Sequence, residues 1–184
     1  MLAILTLFSP LLGCAGGYAV IGECPDCVDT GEEIPLDGEY LLDVTINEVM
    51  ASNSLSWVDE DETSPDWIEI YNGSEIEVDL DGFLLRDDLE EGEPSEIKGS
   101  LVVPAGGFVL LLADGDGSKG TEYLDMKLSS DGEQLGLYTP DDQALSLLEF
   151  GLQLEDMSLA REKDGKEDSW TYRAMGTPGE SNED

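Results

Sequence analysis

An all-β sandwich is the fold class this sequence predicts, and three observations carry it. Apolar residues fall in strand-sized runs, and no amphipathic run of helical length and period stands out. Turn residues break those runs about every 8–15 positions, the spacing of strands in a sandwich. Hydrophobic residues make up 40% of the 184, so the body of the chain can fold despite its charge.

Taken in order, the first element is an address rather than part of the sandwich. Met1 to Gly13 reads MLAILTLFSPLLG, apolar throughout, and Cys14 follows. A bilayer span needs about 20 apolar residues, so the run is expected to be a signal segment. Leu11-Leu12-Gly13-Cys14 resembles the lipobox of bacterial lipoproteins. That resemblance implies cleavage before Cys14, lipid attachment at Cys14 and an extracytoplasmic, membrane-anchored protein of the bacterial cell envelope. No Lys or Arg precedes the apolar run, as such signals normally require, so either the true start lies upstream of Met1 or the signal is weak.

Residues 14–42 are acidic, carry Gly31, Pro35 and Gly38, and show no sustained period. They are predicted to be a flexible, self-repelling tether. Within it, Cys24-Pro25-Asp26-Cys27 can be a redox motif, half of a zinc site or a local disulfide. The redox reading wants a strand-to-helix context, and zinc wants two further Cys or His ligands that the sequence lacks. A Cys24–Cys27 disulfide in an oxidising compartment is the expectation.

The sandwich is predicted over residues 43–182. Its strands are read in Leu42–Val49, Trp67–Tyr71, Val78–Leu80, Phe83–Leu85, Leu101–Val103, Phe108–Leu112, Gln134–Tyr138, Ala144–Leu148 and Ser169–Tyr172. Asn72-Gly73 and Asp81-Gly82 mark turns, and Thr139-Pro140-Asp141-Asp142 suits a type I hairpin connection. The core is expected from Ile46, Ile68, Ile70, Leu80, Phe83, Leu85, Val109, Leu111, Leu135 and Leu137. Roughly 140 residues suffice for such a core.

Charge then narrows the function. Asp and Glu number 43 against 8 Lys and Arg, with no His, for a formal net charge of −35. Such a surface repels nucleic acid and anionic lipid headgroups, whose affinity rests on Lys and Arg. Lack of His removes Ser-His-Asp and Cys-His chemistry and His-based zinc sites. The first basic residue is Arg86, so the preceding half of the chain has no internal counter-ion.

The order of several motifs resembles the lamin-tail domain in its bacterial form. They are Ile46-Asn47-Glu48-Val49, Asp66-Trp67-Ile68-Glu69-Ile70-Tyr71-Asn72 and Val78-Asp79-Leu80-Asp81-Gly82-Phe83. Val103-Pro104-Ala105-Gly106-Gly107, Lys127-Leu128-Ser129-Ser130-Asp131-Gly132-Glu133 and Gly176-Thr177-Pro178-Gly179-Glu180-Ser181-Asn182 complete the series. The resemblance spans about residues 43–182. It implies an immunoglobulin-like sandwich with a non-catalytic binding or scaffolding role, and it assigns no catalytic residue. Related domains are sometimes appended to nucleases or other hydrolases, so an accessory role beside such an enzyme is a further expectation.

One cluster suggests a ligand. Asp59-Glu60-Asp61-Glu62 runs through Pro65 to Asp66, with Glu69 beyond. Calcium favours 6–8 oxygen ligands and is common in extracytoplasmic modules. Asp59, Asp61, Asp66 and Glu69, with Asn53, are the expected ligands of a calcium-dependent adhesion or carbohydrate-binding module. The competing reading is a solvated acidic loop. Asp114-Gly115-Asp116-Gly117-Ser118 opens like an EF-hand but has Lys119 where that loop needs Gly, and reads as a turn. Asp66 and Glu69 are three apart on one strand, so they face opposite ways and cannot flank one scissile bond. Trp57 can stack on a sugar or anchor the loop; Trp67 and Trp170 are expected to pack.

Overall fold

A computed structural model describes residues 42–89, 93–166 and 169–183. The expected signal segment, the expected lipid site Cys14, the expected Cys24–Cys27 disulfide and the expected tether up to residue 41 lie outside the described residues. No helix occurs among the described residues, and eleven strands do.

Five strands form one antiparallel sheet in the order β11-β10-β1-β2-β7: β1 Val44–Met50, β2 Asp66–Asn72, β7 Phe108–Ala113, β10 Met157–Arg161 and β11 Trp170–Ala174. Four form the second, ordered β5-β4-β8-β9: β4 Leu84–Arg86, β5 Ser95–Glu96, β8 Glu133–Tyr138 and β9 Ala144–Phe150. A two-residue pair, β3 Val78–Asp79 and β6 Val102–Val103, completes the set. One core cluster draws on both large sheets, joining Ile46, Ile68, Ile70 and Leu111 to Leu85, Leu135, Leu137 and Leu148. Burial of each such side chain is worth about 2 kcal/mol. This is the immunoglobulin-like sandwich the sequence leads one to expect.

Nine of the ten expected core residues are buried; Val109 is only half-buried, packed against the cluster's margin. Two strands lie outside the sequence expectation. In β5 only Ser95 and Glu96 pair, too short a run to show a period. In β10 the inward Leu159 alternates with Ser158 and Ala160, which are buried on the other face. With both faces covered, the apolar-polar alternation that announces a strand is lost.

The β8–β9 hairpin turns as its sequence predicts, with Asp142 N–H donating to Thr139 O at 3.0 Å. Asp142 then takes a left-handed φ of 67°, and farther along the hairpin the register shifts between Leu137 and Tyr138, where Leu145 is left without a partner in the ladder. Asp tolerates that conformation better than most side chains.

Candidate functional site

The expected calcium ligands do not come together in one cluster among the described residues. Asp59 is buried at the loop's base, where Oδ1 accepts N–H bonds from Asp61 (3.1 Å) and Thr63 (2.7 Å). Its Oδ2 accepts the Thr63 hydroxyl at 2.5 Å, and that bond first of all holds the Asp59 carboxyl below its ordinary range. Asp61 sits on the exposed crest. Asp66 accepts the Asn53 N–H at 2.9 Å, and its carboxyl is pushed up by burial. Asn53 is a loop organiser: its side chain donates to Trp57 O and Pro65 O and accepts from Trp57 N–H. Glu69 lies on the opposite face of β2 from Asp66, because it shares the parity of Trp67 while Asp66 shares that of Ile68 and Ile70. Among the described residues no three carboxylates or thiols come together in a way that could hold a metal ion. Asp59 and Asp66 serve as acceptors for the loop's own backbone.

The Asp114 loop works likewise. Asp114 accepts the Asp116 N–H and pairs with Lys119, the residue that departs from the EF-hand pattern. Trp57 packs half-buried against Met50, Trp67 and Leu112, so it anchors the acidic loop. Trp67 is fully buried, and Trp170 lies half-buried beneath the Arg161 guanidinium, 4.5 Å from the ring centre. An open cleft of about 420 Å³ runs along β9 from Ala144 to Leu147 beside Arg161 and Trp170. Its one hydroxyl, Ser146, already bonds Thr45 Oγ1 and the Ile46 N–H, and no carboxylate lines it.

The unusual chemistry lies on the outer face of the five-stranded sheet. Between Ile46 and Val49, both inward, sit two polar residues where regular alternation allows one. The extra residue is a bulge at Asn47, which drops out of the β1–β2 register. Asn47 and Glu48 are both fully buried on the far side from the apolar core. Beyond the bulge Glu48 stands directly opposite Glu69, also fully buried. Directly opposed side chains in such a pair have Cβ atoms roughly 5 Å apart, and like charges there are destabilising.

Neutral donors hold the pair. Glu48 accepts from Ser158 Oγ and from Thr177 N–H at 3.1 Å, and Thr177 Oγ1 lies 3.0 Å from its Oε2. Glu69 accepts from Asn47 Nδ2 at 3.0 Å and from Gly179 N–H at 2.7 Å. Asn47 Nδ2 also donates to Asp164 at 2.9 Å, and Asn182 bonds both Asp164 and the Asn47 carbonyl. The segment from Gly176 to Asn182 is therefore a strap that lies over the acids and seals them from water. Gly176 has φ +59° and room for no side chain: a Cβ there would sit 2.7 Å from Glu48 Oε1 and 3.0 Å from Trp67.

Desolvation pushes the Glu69 carboxyl up to about 8, and the negative charges of Glu48 and Asp164 add to it. The bonds from Asn47 and Gly179 pull the other way and are outweighed. Two opposed carboxyls with one raised would suit acid-base work if a substrate could reach them. Here they are covered, so they act as the strap's anchor. Asn47 and Glu48 are the site residues that sequence reading missed. The signal was present in the three-residue step from Ile46 to Val49, which strict alternation forbids.

No curated protein matches this chain. The family model described as Lamin Tail Domain matches residues 41–151, which takes in β1 to β9 and both acids of the opposed pair. The chain belongs to the lamin tail domain family.

Proposed function

We propose that this protein is a non-catalytic binding or scaffolding module, held at a bacterial cell envelope by a lipid on Cys14. The observation that supports a non-catalytic role is the fate of its acids. Glu48 and Glu69 are sealed beneath the terminal strap, and Asp59, Asp66 and Asp156 each accept backbone N–H bonds. Groups consumed in this way organise a surface; they do not turn over a substrate. The apolar run ending in Leu11-Leu12-Gly13-Cys14 supports the anchor.

Two measurements test the two halves. Metabolic labelling with a fatty acid marks the chain and leaves a Cys14→Ala variant unmarked; membrane attachment that persists without Cys14 sinks the anchor. For the non-catalytic half, the purified chain is assayed on nucleic acid and on glycosides. Any hydrolysis that disappears in Glu69→Gln overturns the binding-module reading.

A further inference from the structure

Polarity is inverted in the loop Gly151-Leu152-Gln153-Leu154-Glu155-Asp156 between β9 and β10. The glutamine turns inward and is 2% exposed, while Leu152 and Leu154 on either side are 62% and 65% exposed. Gln153 Oε1 accepts the Ala51 N–H at 2.8 Å, its Nε2 donates to Val49 O at 3.4 Å, and its own N–H donates to Ser130 O at 2.8 Å. These bonds fix which way the loop faces. Stability alone would bury the leucines and solvate the amide; a buried polar residue flanked by exposed apolar ones is the informative departure.

Three more exposed apolar side chains join them. Tyr172 (48% exposed) hydrogen-bonds the Leu152 carbonyl, and Met175 (44%) donates its N–H to Asp156 O at 2.7 Å. Leu55 (70%) donates its N–H to Asp156 Oδ1 at 2.8 Å, beside Ser54 at 2.8 Å and Ser56 at 3.3 Å. Five of the nine large apolar residues exposed among the described residues therefore stand on segments tied to one another around Asp156. Exposed apolar side chains gathered on segments bonded to one another suit an interaction site. The bonds to Asp156 and Gln153 set its shape before a partner arrives, which lowers the ordering cost of docking.

Charge selects the occupant. Glu155, in the same loop, is exposed, on a chain of net charge −35. A second copy or an anionic lipid surface would bring like charge against it, whereas a cationic rim is attracted. We propose that Leu55, Leu152, Leu154, Tyr172 and Met175 form a docking surface for a partner protein that presents apolar side chains within a rim of Lys and Arg. This rests on the binding-module reading and names the partner's chemistry.

The test uses the full chain and two synthetic amphipathic peptides, one of Leu and Lys and one of Leu and Glu, in about 150 mM salt, where distant charges are screened. Nuclear magnetic resonance shifts under the Leu/Lys peptide concentrate at residues 54–56, 152–156 and 172–175. The double variant Leu152→Ser/Leu154→Ser binds it at least tenfold more weakly by calorimetry, with its melting temperature unchanged. The Leu/Glu peptide leaves the spectrum unaltered. Equal binding by the double variant, shifts spread over the whole acidic surface, or equal binding of the Leu/Glu peptide each overturns the proposal. Self-association abolished by the double variant also overturns it, by making a second copy the occupant. The hydrolysis assay on Glu69→Gln is separate, so loss of the docking surface and loss of the binding-module reading are distinguishable.

Discussion

Two groups of acids, one in the 59–66 loop and one on β1 and β2, have the same chemistry and opposite fates. In the loop, Asp59 takes two backbone N–H bonds and a hydroxyl, and its carboxyl is held below the ordinary range. On the sheet, Glu69 takes two bonds as well, yet its carboxyl rises to about 8. In the loop the Thr63 hydroxyl is the first cause of the lowering, with Tyr123 Oη a fourth donor at 3.3 Å, whereas on the sheet burial comes first. Glu69 is stripped of water and faces another carboxylate, and burial beside like charge outweighs two donors. Density of acids in the sequence, highest in the loop, gave no sign of the buried pair on the sheet.

The largest way to sharpen this contrast is to remove a sheet acid. Glu48→Ala leaves the Thr177 N–H without its acceptor, leaves Ser158 Oγ only the Arg173 carbonyl at 3.4 Å, and opens a cavity beneath the strap, which together cost about 4 kcal/mol. A thermal melt should fall by roughly 12 °C for a domain of this size, with faster amide exchange at residues 177–182. A loss of only a degree or two would mean that the strap is not anchored by this pair.

Proton linkage comes next. Because folding raises the Glu69 carboxyl from 4.5 to about 8, the native state holds a proton that the unfolded chain releases. Stability is therefore fullest below pH 4.5 as far as this group is concerned, and it drains as pH climbs to about 8. Glu69→Gln should flatten most of that slope in melts run across the window. A smaller slope of the same sign remains from Glu133, which burial pushes up to about 7. An identical slope in the variant would show that Glu69 is not the group that titrates.

Asp156→Ala gives a middle-sized effect. It removes the acceptor of three successive N–H groups and places alanine at a φ of 54°, for a loss of about 2 kcal/mol by denaturant unfolding. The smallest effect belongs to the acidic loop. Millimolar calcium should leave the melting temperature where an equal ionic strength of sodium leaves it, and Asp61→Asn should change neither curve. A calcium-specific rise lost in that variant would reverse the comparison between the two acid groups.

Much of this fold was legible in the sequence. Ile68 and Ile70 alternate with Trp67 and Glu69 as a strand requires, and Asp81-Gly82 and Thr139-Pro140-Asp141-Asp142 turn where their chemistry says. The site was less so. Glu48 draws no expectation and Glu69 reads as a calcium ligand, since alternation gives a side chain's face but not what covers it. β10 was missed for the same reason, because its second face is buried too.

Sequence alone determined the all-β class, nine of ten named core positions and the family motifs, because strand period and turn preference are local properties of a few neighbouring residues. Only the tertiary structure decided which acids lose water and which leucines keep it. The strap reaches Glu48 and Glu69 from Thr177 and Gly179, 129 and 110 residues away, and Gln153 is drawn inward by Ala51, 102 residues away. Burial of a polar group depends on partners that the chain supplies from far along its length, and no local pattern records them.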